Sequence, residues 1–293
     1  MTKKVRIRKS RKREIPLAER EAAMAAQDQI IKDALSLVKH KYIVMSGKGG
    51  VGKTSVAANL AMALSRRGAR VGLMDVDLHG PDIPRILGLS GVLEASVDGR
   101  IAPKPYSENL EVVSVGSMAG DPDKAVIWRG PLKLQVIRRF ISDVHWGMLD
   151  YLVIDSPPGT GDEPLTVAQN IPDAKAIIVT MPQEMSLGDV RKSINFCKTV
   201  NMEVLGLIEN MSGFVCPHCG KAIDVFGTGG GLKTAKAMDI RFLGRIPLDA
   251  RMVTCADAGE SYMEKYPEAE LTKAFDQIVA TIMGGEERRA AVA

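Results

Sequence analysis

The stretch from Tyr42 to Leu64, YIVMSGKGGVGKTSVAANLAMAL, commits the chain to a fixed order of elements. A short apolar run passes without a break into a glycine-rich loop, Gly47–Thr54. The loop passes into SVAANLAMAL, where Val56, Leu60 and Leu64 recur at helical spacing. Strand, glycine loop and helix in that order are the context the pattern GxxxxGK[ST] requires. Glycines let backbone N–H groups close around phosphate oxygens, the helix N-terminus adds partial positive charge, and Lys53 reaches the outer phosphates. The expected nucleotide cradle is Gly47, Lys48, Gly49, Gly50, Val51, Gly52, Lys53 and Thr54, with the Thr54 hydroxyl on magnesium.

Further apolar runs follow: RVGLMDVD, LEVVSVG, LDYLVIDSP, AKAIIVTMP, EVLGLIENM and RFLGRIP, each separated from the next by helical patterns or loops. Apolar at nearly every position, they read as strands buried on both faces, so the fold class is α/β, a parallel sheet flanked by helices. Upstream, Met24, Ile31, Leu35 and Val38 fall near helical spacing and predict an amphipathic lead-in helix over 17–40. The chain then divides into a basic disordered tail (1–16), that helix, one P-loop ATPase domain (41–284) and a flexible C-terminus (285–293).

The formal net charge of +4 comes from the tail, where MTKKVRIRKSRKR holds eight Lys and Arg and no acid. Without it the body is mildly acidic. The tail reads as a solvated arm rather than a nucleic-acid contact. Aromatics at 4% are too few for a protein that reads single strands by stacking. No uncharged run reaches membrane-spanning length, and the N-terminus lacks the apolar segment of a secretory signal. Four cysteines in 293 residues do not make a disulfide scaffold, which points to the cytoplasm.

Two acidic motifs end apolar strands, where ligands sit in open α/β sheets. In LMDVDLHGPDIP, Asp77 is the candidate to orient an attacking water, with Asp75 nearer the hydration shell of magnesium. In YLVIDSPPGTGDEP, Asp155 reads as a magnesium ligand acting through water, since magnesium keeps several waters of its own. The Gly and Pro residues after it suit a loop with two settings that senses the γ-phosphate.

Lys48 is not required by the P-loop pattern and would crowd charge beside Lys53 unless a phosphate neutralises both. The form KGGVGKT resembles the deviant P-loop of the MinD, ParA, nitrogenase iron-protein and Mrp/ApbC ATPases. That resemblance implies that Lys48 reaches the partner's ATP across a homodimer, like an arginine finger.

The segments DVDLHGPDIPRILGL, VIWRGP, WGMLDYLVIDSPPGTGDEPLT, TMPQEMSLGDVRKSINF, ENMSGFVCPHCG and FGTGGG make the resemblance more specific. Over Lys41 to Met283 the chain is similar to the Mrp/ApbC/Nbp family of iron-sulfur carrier ATPases. By this resemblance Asn210 contacts adenine, with the loop IPLDA nearby. The branch with an N-terminal four-cysteine cluster is not expected, because residues 1–196 contain no cysteine.

Cys216 and Cys219, in CPHC, are spaced to ligate one centre from a turn, yet a cluster or tetrahedral zinc takes four ligands. His218, Cys197 or Cys255 could complete the set within one chain. A redox pair is a further alternative. A twofold axis at this loop would instead supply a second pair of thiolates. The resemblance implies that last arrangement, a bridging 4Fe-4S cluster, with zinc the less favoured occupant.

The function expected is therefore a homodimeric ATPase that uses ATP and Mg2+, carries a 4Fe-4S cluster and transfers it to recipient apoproteins. A role on membrane or nucleic acid is not expected. Two rivals remain: a ParA- or MinD-like positioning ATPase on DNA or membrane, and an ATP-driven electron donor.

Overall fold

The computed structural model describes residues 17–96, 99–118, 130–216 and 218–290. The basic tail, the segment VIWR within the resemblance and the last three residues lie outside the described residues.

Helix α1 (Leu17–Leu35) leads into β1 (Val38–Ser46), the glycine loop and α2 (Lys53–Arg66). Strand β2 (Val71–Asp75) is followed by the single turn α3 (Ile83–Ile86), the short pair β3 (Glu94–Ala95) and β4 (Ile101–Ala102), and the hairpin β5 (Lys104–Ser107) and β6 (Leu110–Ser114). Helix α4 (Gly130–Asp143), β7 (Leu149–Asp155), α5 (Asp162–Asn170), β8 (Lys175–Thr180), α6 (Glu184–Thr199) and β9 (Val204–Glu209) complete the central alternation. A small ribbon, β10 (Phe214–Val215) and β11 (Ala222–Ile223), precedes α7 (Gly230–Ala237) and β12 (Phe242–Arg245). Helices α8 (Ala250–Ala258), α9 (Tyr262–Lys265) and α10 (Glu270–Ala290) close the chain.

The main sheet has the order β12-β9-β8-β1-β7-β2-β6-β5 and is parallel except for β5, which pairs antiparallel with β6 at one edge. Alternate residues of each strand serve opposite faces. Tyr42, Val44, Leu73, Val153, Ile177 and Val179 pack under α2, α8 and α10, while Ile43, Met45, Met74, Ile154 and Ile178 pack under α1, α4, α5, α6 and α7. Both faces are covered, which is why the strands read as unbroken apolar runs. In α2, Ala57, Ala58, Ala61 and Ala63 are buried beside Val56, Leu60 and Leu64, so small side chains bring the helix close to the sheet.

Two boundaries differ from those expected. The lead-in helix ends at Leu35 rather than 40, because Val38 is buried and already pairs with Leu149 in the sheet. The C-terminal segment expected to be flexible from 285 is helical to Ala290. The carboxylate of Glu286, 8% exposed, accepts a 2.8 Å hydrogen bond from Lys175, and this contact carries the helix past its two glycines. Among the described residues no helix is long and apolar enough to cross a membrane.

Candidate functional site

Strands β1, β7 and β2 lie side by side and parallel, so their C-terminal ends bring the glycine loop, Asp155 and Asp75 to one edge of the sheet. The loop leaves β1 at Ser46, whose hydroxyl donates to the Lys48 carbonyl at 2.9 Å, and enters α2 at Gly52. Gly52 has φ 79°, and a Cβ there would sit 2.3 Å from Asn210 Nδ2. On Gly47 it would sit 2.4 Å from the backbone of Asp189 in α6. Both positions are closed to any side chain.

Lys53, 7% exposed, donates a 2.6 Å hydrogen bond to Asp155 Oδ1 and lies 3.8 Å from Asp77 Oδ2 and 3.3 Å from the Thr54 hydroxyl. Burial raises the Asp155 carboxyl above its usual range; the Lys53 charge and hydrogen bond and the Thr54 hydroxyl oppose this, and Asp77 adds to it. Its second oxygen, Oδ2, is buried with no hydrogen-bond partner among the described residues. An unused carboxylate oxygen beside Thr54 and Asp77 is a donor set that fits a magnesium ion and its water.

Asp75, expected near that hydration shell, is fully buried and stands in register with Asp155 on the neighbouring strand. Both its oxygens are occupied: Oδ2 accepts from the Ser114 hydroxyl at 2.8 Å and Oδ1 from the Asp77 N–H at 3.1 Å. Burial first, and then the charge of Asp155, push its carboxyl well above the ordinary range. Asp75 thus anchors the loop that carries Asp77. Asp77 Oδ1 in turn accepts the N–H groups of His79 and Gly80, a self-closing turn that leaves Oδ2 on the Lys53 side.

Asn210 follows β9 and is buried. Its amide nitrogen donates to the Val51 carbonyl of the glycine loop at 2.9 Å, which leaves Oδ1 to accept from a base. Beside it opens a cavity of about 250 Å3, walled by Val56, Pro247, Leu248, Met252 and Phe275. Ile246, Pro247, Leu248 and Asp249 of the IPLDA loop line the same cavity as Asn210.

The ribbon β10–β11 carries Cys216, His218 and Cys219 at its tip. Cys216 is half-buried and Cys219 exposed. The backbone N–H groups of Cys219 and then His218 donate to the Cys216 sulfur, with the Cys219 thiol adding to them, and they hold its thiol below the ordinary range. Cys197 and Cys255 are buried elsewhere, and burial pushes Cys197 up to about 11. Among the described residues no three His, Cys, Asp or Glu side chains are grouped to hold a metal ion. The chain thus brings two thiols to this tip, and Val215 and Ile223 of the ribbon and Val225 beyond it are exposed.

Two constellations escaped the sequence reading. His79, Glu163 and Lys133 meet outside the phosphate site: Lys133 Nζ lies 2.9 Å from His79 Nε2 and 3.0 Å from Glu163 Oε1, tying the Asp77 loop to the first turn of α5, which follows the Asp155 loop. Glu209, fully buried at the end of β9, gathers donors from both ends of the cysteine excursion. A glutamate inside an otherwise apolar strand end, VLGLIEN, is the signal that marks it.

Comparison with known proteins gives the same outline. The chain is 47% identical over 267 residues to an iron-sulfur cluster carrier protein of Methanocaldococcus jannaschii, an alignment covering 90% of this chain and 92% of that one. It is 43% identical to the cytosolic Fe-S cluster assembly factor nubp2 of Danio rerio, covering 86% and 96%. Among solved structures, a nucleotide-binding protein from Archaeoglobus fulgidus in complex with ADP superposes with a TM-score of 0.70 at 38% identity, covering 79% of this chain and 91% of that one. The cell-division ATPase MinD of Pyrococcus furiosus gives 0.63 at 25% identity, covering 84% and 98%. Residues 37–283 match the ParA family model described as NUBPL iron-transfer P-loop NTPase, and the chain belongs to that family.

Proposed function

We propose that the protein is a magnesium-dependent ATPase that binds a 4Fe-4S cluster between two copies of its chain and passes it to apoproteins. The observation that carries this reading is the half-site at the ribbon tip. Cys216 is prepared as a ligand by two backbone N–H groups, yet no third ligand is grouped with the pair among the described residues. A second copy placed by a twofold axis would complete four thiolates, and the exposed Val215, Ile223 and Val225 give that contact an apolar rim. The relatives named as iron-sulfur cluster carriers and cytosolic assembly factors support the cargo and a cytosolic setting.

In the ATPase half, the glycine loop and Lys53 hold the phosphates, and Lys48 reaches the partner's nucleotide. Thr54, and Asp155 through water, would hold magnesium, which would supply charge neutralisation for the phosphates. Asp77 orients water, Asp75 fixes the Asp77 backbone, and Asn210 accepts from adenine. Positioning and charge are most of what phosphoryl transfer needs from a protein.

Anaerobic reconstitution with iron and sulfide, followed by absorption spectroscopy, iron analysis and sizing, tests the reading. The expected product is a coloured dimer with about four irons per two chains. Cys216→Ser/Cys219→Ser should take up none while retaining ADP affinity. A tightly held single zinc per dimer would replace the cargo. A colourless monomer that binds DNA through its first thirteen residues would point instead to a positioning ATPase.

A further inference from the structure

The segment that bears the cysteines leaves the sheet after β9 and returns at α7, and both ends meet at one carboxylate. Glu209 Oε1 accepts from the Ser212 hydroxyl at 2.5 Å and from the Gly229 N–H at 2.9 Å, and Oε2 accepts from the Gly231 N–H at 2.5 Å. Arg245 Nε on β12 lies 3.5 Å from Oε1. The side chain has no exposed surface. A Cβ on Gly231 would lie 2.9 Å from Oε2, so glycine is what lets this backbone close on the acid.

The next residue is Asn210. Its N–H donates to the Thr180 carbonyl at 2.7 Å and its amide to the Val51 carbonyl of the glycine loop at 2.9 Å. Beyond it, Ser212 N–H donates to the Ile246 carbonyl and Leu248 N–H to the Gly213 carbonyl, so the outgoing stem lies on the loop that walls the base cavity. A displacement of Val51 or Asn210 therefore reaches Glu209 through one peptide unit, and Glu209 holds both stems of the excursion at once.

We propose that Glu209 is the positioning residue through which nucleotide at the glycine loop sets the geometry of the Cys216–Cys219 tip. The proposal rests on the reading of that tip as the ligand-bearing element. It differs from a cap on α7 alone because the Ser212 hydroxyl, on the outgoing stem, shares the same carboxylate oxygen as Gly229. Glu209→Gln keeps the shape but replaces one acceptor with a donor, which then faces the N–H of either Gly231 or Gly229 with like polarity, while the Ser212 hydroxyl can turn to accept. Ser212→Ala removes one stem contact and leaves the acid in place.

Amide hydrogen exchange on the full chain tests this, with MgADP as the ligand and peptides covering residues 212–229 as the readout. In the wild type, MgADP is expected to slow exchange there about fivefold. In Glu209→Gln, and in Ser212→Ala should the first variant not fold, the MgADP-dependent change disappears while ADP affinity stays within about twofold. A variant that keeps the wild-type response overturns the proposal, as does a wild type in which MgADP leaves these peptides unchanged. Iron and sulfide uptake is scored separately. A wild type that takes up neither, yet shows the Glu209-dependent response, supports the linkage and removes the cluster reading.

Discussion

Lys53 donates a 2.6 Å hydrogen bond to Asp155 Oδ1 in a site where the two side chains are 7% and 0% exposed. The pair is the charge centre of the molecule, because Asp75 and Asp77 stand beside it and Lys53 is the cation that touches Asp155 and Asp77. Removing one partner of a buried pair leaves the other unpaired, which costs about 3–5 kcal/mol. Lys53→Met should lower unfolding free energy by about that amount in urea titrations. Lys53→Met/Asp155→Asn should recover more than half of the loss, and neither variant should hydrolyse ATP. A double variant no more stable than the single would show that the pair contributes little beyond its own hydration.

Lys48 tests the two-chain ATPase centre. It is half-buried in the loop, and among the described residues its ammonium makes no ion pair. Charge supplied across an interface is worth about 10^3 or more in turnover. Lys48→Ala is expected to cut ATP turnover by about that factor while ADP affinity changes less than about threefold. Wild-type turnover should rise more steeply than linearly with protein concentration below the dimer dissociation constant. A strictly linear dependence, with a mild Lys48→Ala defect, would place this lysine in solvent.

The parts legible in the sequence were those governed by a strong local signal. Unbroken apolar runs disclosed the parallel core, and the pattern Gly47–Thr54 disclosed the glycine loop between β1 and α2. What escaped depends on distant partners. Gly284 and Gly285 argue locally for a frayed end, but Glu286 bonds Lys175 across 111 residues and the helix continues. Edge strand β5, KPYS, has a proline and alternating exposure rather than an apolar run, so no strand was evident there. Asp75 reads as a metal-side group because it ends a strand; the bond it accepts from the Ser114 hydroxyl, on β6, has no signal in the sequence. Glu209 was overshadowed by Asn210 beside it.

The His79–Glu163–Lys133 contact predicts a rate effect without a stability effect. Its members are partly exposed, so each link is worth under about 1 kcal/mol. His79 nevertheless lies two residues after Asp77, and Glu163 lies on α5 just beyond the Asp155 loop. A misplacement of about 1 Å at reacting groups can cost about 100-fold in rate. His79→Ala and Lys133→Ala are expected to lower kcat about tenfold or more, with unfolding midpoints nearly unchanged. Equal kcat in variant and wild type would reduce the cluster to a surface contact.

Asp75 makes a prediction about pH. Burial and Asp155 raise its carboxyl well above the ordinary range, so the folded state holds a proton that the unfolded chain has already lost. Where the folded state binds more protons, stability falls as pH rises. The fall begins just above the unfolded carboxyl pKa of about 3.9 and is complete once pH passes the raised folded value. Asp75→Asn keeps an acceptor for the Asp77 N–H and removes the titration. Its amide nitrogen can donate to Ser114 Oγ where the acid accepted. The variant should therefore unfold at a higher temperature than wild type at alkaline pH, with the gap narrowing as pH falls. The same substitution replaces a titrating carboxyl next to Asp155 and Lys53 with an amide, so the pH dependence of ATP turnover should change even as the fold strengthens. Thermal scans across the pH series decide the point: parallel curves for variant and wild type would mean that Asp75 stays ionised in the fold and that Ser114 and the Asp77 N–H suffice to hold its charge.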